Sequence, residues 1–328
     1  MAWPAIDTVT LRRAILFFVG IGVPSATGTL LGHPAGVLIG CMTGLLFSFA
    51  DDAGPLSVRY KTLFMAAGGV AIGAAAGAYW RGFPWPVWVM FAAATFASGA
   101  FLGVGKAPML GARFGAMALV VASGAPELRL DDAAYGVLAL VVVALARFVD
   151  HWIFGPLPQM RGGAPRGPNH DWPRFALAYA AAATVSLWIG IAIDPSRAVW
   201  VVVTTLVVMM ADARASYVRI VERVAGTMLG VVAAFALTSV VHSPRLIALA
   251  LLLVAPAVPH HLQQRYWLHT ALIALLILLA YDLATADPRI LHGLFTERLE
   301  DVLLGGALAL VGTMVAFPRT APSDNELA

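Results

Sequence analysis

Charge is scarce in this chain. Only 12% of its 328 residues are Asp, Glu, Lys or Arg, where a soluble globular domain carries roughly a quarter. Cysteine is scarcer still, with Cys41 alone, which excludes an intramolecular disulfide and points to no thiol chemistry. The net charge of +3 is too small to suggest nucleic acid as a partner. Enzyme motifs are missing as well. GVGK (103–106) has neither the glycine spacing of a phosphate loop nor a Ser or Thr after Lys106. His260 and His261 are adjacent, so on a helix they point about 100° apart and make no paired metal face. No His-Glu zinc motif, nucleophile elbow or Gly-rich dinucleotide loop occurs. The reading is therefore no enzyme, no catalytic residue, no metal and no cofactor.

What the chain has in quantity is apolar sequence, at 60%. Runs of about 17–22 apolar residues recur from end to end, the length that crosses a bilayer as a helix. They predict an all-α integral membrane protein with twelve transmembrane helices. The expected spans are 12–31, 34–50, 62–80, 86–104, 107–123 and 133–155, then 173–193, 198–211, 223–241, 245–258, 266–283 and 299–317. Arg12 and Arg13 ahead of the first run resemble a secretory or twin-arginine signal. Eleven further apolar segments favour an uncleaved first helix instead. With the N-terminus inside, fourteen Lys or Arg residues fall on the inner side and six on the outer, while Arg147 lies in the sixth span. The positive-inside rule then places both termini in the cytoplasm, and a bacterial-type inner membrane is the expected location.

The one long polar break, GPLPQMRGGAPRGPNHDWP (155–173), is basic and rich in Pro and Gly. It reads as a cytoplasmic linker, 156–172, between a first six-helix half (1–155) and a second (173–317), with a cytoplasmic tail at 318–328. Six is even, so the halves should be parallel repeats. Four matches occur in order: HP (33–34) with DP (194–195), Asp51 with Asp212, SVRYK (57–61) with YVRIV (217–221), and GVLALV (136–141) with GALALV (306–311). Gly69, Gly73 and Gly77 share one helix face, as do Gly226 and Gly230, and small faces are what let helices associate in lipid. Aligning these glycines shifts the preceding arginines by about one turn, which leaves the repeat register open.

The remaining signal is charge at expected helix mouths. Arg219 and Arg223 share a face, and Glu222 lies one turn from Arg219, in reach of pairing. A snorkelling anchor and a cationic vestibule for an anion both fit, since charge at membrane depth tends to face a protein-lined cavity. A second cluster, TERLEDVLLGG (296–306), holds Glu297, Arg298, Glu300 and Asp301. His269, Thr270, Tyr281 and Asp282 lie in the eleventh span, and Arg147 and Asp150 in the sixth; any of them can be a satisfied packing group.

ERVAGTMLG (222–230) resembles the arginine–Gly-Thr–Gly signature of the fusaric acid resistance family, which is similar to the aluminium-activated malate transporters of plants. RLEDVLLGGALAL (298–310) is similar to the family's second signature, an arginine, an aspartate and then glycine in the last membrane helix. The resemblance implies export of organic or aromatic carboxylates using the proton gradient. It makes Arg219, Arg223, Arg298 and His269 the candidate substrate-binding residues. Asp212, Glu222 and Asp301 are the candidates for coupling or charge pairing. Many members carry a sizeable soluble domain, whereas this chain has only its linker and short tail. A passive anion channel and a noncatalytic assembly protein stay open as alternatives. The partners expected are a small organic anion and the lipid bilayer, with homo-oligomerisation left open.

Overall fold

A computed structural model describes residues 8–124, 130–158, 172–195, 197–261, 265–285 and 288–317. The expected linker lies almost entirely outside them, as does the tail. Among the described residues the chain is helical, in twelve α-helices. They are α1 (Thr8–Leu30), α2 (Pro34–Phe49), α3 (Leu56–Tyr79), α4 (Pro84–Ala100), α5 (Lys106–Gly124) and α6 (Leu130–Phe154), followed by α7 (Trp172–Ile193), α8 (Ala198–Val208), α9 (Ala213–Val240), α10 (Pro244–Val254), α11 (Tyr266–Ala284) and α12 (Pro288–Ala316). Proline opens α2, α4 and α10, where its missing N–H costs nothing.

The surface is that of a multi-pass membrane protein. On α6, Val137, Val141, Leu145, Phe148 and Trp152 stand exposed at three- and four-residue spacing, while Arg147 is fully buried. Large apolar side chains outside and arginine inside is an arrangement that water would penalise and lipid favours.

Twelve spans were expected, and here the structure differs. Nine helices among the described residues are long and apolar enough to cross a membrane; α2, α8 and α10 are shorter. At 1.5 Å per residue, the 11 residues of α8 reach only about 17 Å of a hydrocarbon layer about 30 Å thick. The apolar run goes on to residue 211, but Met209 turns to an extended backbone and ends the helix. Ser216 then replaces the lost helical partners, since its hydroxyl oxygen accepts from the Met210 N–H at 2.8 Å. Irregular backbone at depth is tolerated where protein surrounds it. Met209 is fully buried, and α8 packs against α5, α7 and α12. Hydropathy reports apolarity, and it does not report where the backbone stops being helical.

Two helix pairs approach most closely, α3 with α5 and α9 with α11. Glycine makes both possible. A Cβ on Gly69 or Gly73 would collide with the backbone carbonyl of Gly111 or Gly115. A Cβ on Gly226 or Gly230 would collide with the carbonyl of Trp267 or Ala271. Gly68, next in sequence, faces open space. Gly73→Val should therefore destabilise the protein by about 1–3 kcal/mol through overpacking, and Gly68→Val should be near neutral. Thermal unfolding of the two variants in one detergent makes the comparison. Equal midpoints would show that the α3–α5 approach is not what the glycine protects.

Other packing pairs within the first half include α1 with α2, α1 with α6, α2 with α6, α3 with α6 and α4 with α5; within the second they include α7 with α8, α7 with α12, α8 with α12, α9 with α12 and α10 with α11. Between them, α4 packs on α7, α5 on α8 and α2 on α11, and α1 packs on α10 and the 3₁₀ segment Ala255–His261.

Candidate anion site in the second half

The ranges of α9 and α12 change the reading of their arginines. Arg223 and Arg298 were expected at helix mouths, in spans beginning at 223 and 299. The helices in fact begin at Ala213 and Pro288. Each arginine is ten residues inside its helix, or about 15 Å along it from the first residue. The helices extend beyond the apolar windows that the charges end.

The two helices run antiparallel, with Phe295 against Phe235 at one end and Gly306 near Ile220 and Val224 at the other. That arrangement brings Arg223 and Arg298 to one cavity of about 20 Å³, lined also by Thr204, Thr227, Thr270 and a wall of Ile273, Ala274, Ile277, Leu278 and Val302. Among the described residues no carboxylate lines it. Arg223 Nε, Arg298 Nη2 and Thr204 Oγ1 are buried there without a hydrogen-bond partner among the described residues. Such atoms are rare in folded proteins, and each calls for a reason.

Arg298 is held by aromatic rings. Its guanidinium lies 3.0 Å from the ring centre of Trp200 and 6.0 Å from that of Tyr281. A stacked guanidinium keeps its N–H groups free in its own plane. Asp301, only 2% exposed, accepts from Arg197 Nε and Nη2 through Oδ1 at 3.1 and 2.9 Å. Arg197 also donates to Glu300 at 2.8 Å. Asp301 Oδ2 is left without a partner.

The other expected site residues lie elsewhere. Arg219 covers the ring of Tyr266 at 4.5 Å, and Glu222, within reach of it in sequence, makes no ion pair among the described residues. Asp212 caps α9, its Oδ1 accepting from the Ala215 N–H at 2.7 Å. His269 is buried and faces away from the arginine cavity, with Nδ1 2.8 Å from the Val258 carbonyl and its ring against Phe49. Thr204, Trp200 and Tyr281 had no charge or motif to single them out as site residues.

The first half holds a different charge cluster. Asp51, between α2 and α3, accepts from Arg59 through both oxygens at 2.9 Å, and Arg147 Nε lies 3.5 Å away. Asp150 bridges Arg12, at 2.8 and 2.9 Å, and Arg59. Arg147 donates to the carbonyls of Arg59 and Phe47, and Lys106 donates to that of Asp51. Arg147 and Asp150, three apart on the helix, both engage Arg59, one at its carbonyl and the other at its guanidinium. Burial pushes the Asp51 carboxyl up, but Arg147 and Arg59 outweigh it and hold its pKa below the usual carboxylate range. In this cluster the arginines have carboxylate partners, although Arg147 Nε makes no hydrogen bond among the described residues.

Residues 178–312 match the family described as fusaric acid resistance protein-like. That stretch, less than half of the chain, is similar to the family. The matched segment runs from α7 into α12 and contains every residue lining the arginine cavity. Both short signatures, 222–230 and 298–310, lie within it. No curated protein and no solved structure matches the chain. The matched segment therefore holds the arginine cavity, and the half outside it holds the arginine–aspartate cluster around Asp51 and Asp150.

Proposed function

We propose that this membrane protein is a transporter that exports organic or aromatic carboxylate anions across a bacterial-type inner membrane, with the proton gradient as its energy source. The family supports transport or resistance. The observation that carries the anion is the convergence of Arg223 Nε, Arg298 Nη2 and the Thr204 hydroxyl on one buried cavity without a carboxylate. Guanidinium N–H groups fixed at such a point match the two oxygens of a carboxylate. The cavity accepts a carboxylate head and not an aromatic ring, so passage of a whole acid requires the helices around it to separate. This favours a carrier over a permanently open anion channel.

The same reading takes the halves as parallel repeats, α1–α6 corresponding to α7–α12. The main packing pairs within one half have their counterparts in the other, α3 with α5 answered by α9 with α11 and α3 with α6 by α9 with α12. Across the halves, α4 on α7 and α5 on α8 are answered by α10 on α1 and α11 on α2, as a two-fold axis along the membrane normal requires. The glycine ladder gives a register, Gly69 with Gly226 and Gly73 with Gly230.

Sealed vesicles loaded with a panel of aromatic and aliphatic carboxylic acids test the function. Substrate-dependent efflux that collapses with a proton uncoupler is expected, and no efflux of any acid would overturn the reading. Reporter fusions at residues 165 and 325 should both read cytoplasmic, and a periplasmic signal from either would reverse the topology.

A further inference from the structure

Two guanidinium groups facing one cavity raise a problem that the transport reading leaves unsolved. Like charges repel strongly where water is excluded, and a buried charge without a paired counter-charge is destabilising. Asp301 and Glu297 act on Arg298 only from a distance. Asp301 and Glu300 are taken up by Arg197, and no oxygen of Asp301 reaches ion-pair distance of Arg298 among the described residues. The threonines give an independent pointer. Thr205 and Thr270 turn their hydroxyls back to the carbonyl four residues earlier, the ordinary choice for threonine in a helix. Thr204, 1% exposed, does not, and its oxygen is left unpartnered at the cavity. Arg298, 8% exposed, likewise leaves Nη2 unpartnered there.

We propose that, when no organic substrate is bound, this cavity holds one small monovalent inorganic anion of halide size, which a substrate carboxylate displaces. The volume of about 20 Å³ suits a single ion or water and excludes anything with a ring. The donors present, two guanidinium N–H groups and one hydroxyl, are those a spherical anion accepts from. Water would fill the space and accept these bonds but would bring no negative charge to the pair of guanidinium groups. The displacement step rests on the carboxylate reading above; the resident anion itself does not.

The test uses the full chain purified in detergent, with chloride exchanged for isethionate at constant ionic strength. Thermal midpoint and tryptophan fluorescence are followed as chloride or bromide is returned. Trp200, stacked on Arg298, is a reporter beside the site. A saturable rise in midpoint is expected for both halides. Thr204→Val should weaken the apparent affinity by about tenfold or more, as loss of a bond to a charged group does. Arg223→Gln should abolish the response. If Arg223→Gln fails to fold, Thr204→Val, which keeps the side-chain shape, still decides the matter. Benzoate should shift the chloride titration to higher concentration. A halide response that is absent in the parent chain, or unchanged in Thr204→Val, overturns the resident anion even where benzoate is transported. A halide response that benzoate does not shift overturns the displacement and the carboxylate reading, and leaves the anion site standing.

Discussion

Replacing Arg223 with Ala should lower substrate-dependent efflux about tenfold to a hundredfold, the equivalent of about 1.5–3 kcal/mol for a lost hydrogen bond to a charged group. Arg223 presents Nε to the cavity, and Lys has no atom in that place. Arg223→Lys should therefore rescue only in part, restoring charge without the planar donor geometry. A membrane anchor would behave otherwise, since Lys snorkels about as well as Arg. The parent and both variants need matched abundance in the same vesicles, because removing a buried charge can also change stability. Unchanged transport by Arg223→Ala would take this residue out of the substrate route.

Asp51→Ala should cost about 3–5 kcal/mol of stability, as expected when one partner of a buried ion cluster is removed. The loss would leave Arg59 and Arg147, at 1% and 0% exposure, without the carboxylate both approach. Neither residue lines the arginine cavity, so efflux per folded molecule should stay near that of the parent. Acid supplies a second reading. Because the folded-state pKa of Asp51 lies below its ordinary value, its contribution is complete at neutral pH and is lost as pH falls through that lowered value. The parent chain should therefore show an acid-dependent loss of stability below the usual carboxylate range, and Asp51→Ala should lack that component. Equal acid profiles and equal midpoints for the two proteins would show that Asp51 holds nothing together.

Hydropathy by itself determined that this chain is an all-α membrane protein, because a bilayer demands long apolar segments and the sequence supplies them one after another. It expected twelve spans, of which nine described helices are long and apolar enough to cross a membrane. The two short signatures drew attention to the second half, and Arg223 and Arg298 were legible there because an arginine beside an apolar run is conspicuous. Helix starts were not legible. A charge ends an apolar window, so the expected spans begin at the arginines, while helical backbone continues ten residues before each of them. Length was misjudged in the opposite sense at α8, where the apolar run outlasts the helix. Pairing across the chain was beyond reach as well. Glu222 is close to Arg219 in sequence, yet Tyr266 from another helix takes that guanidinium. Only the antiparallel crossing of α9 and α12, with α8 and α11 beside them, joined two distant arginines and a threonine hydroxyl in one cavity. A sequence states which charges exist; which of them are already neutralised is decided by what the packed helices bring within a few ångströms.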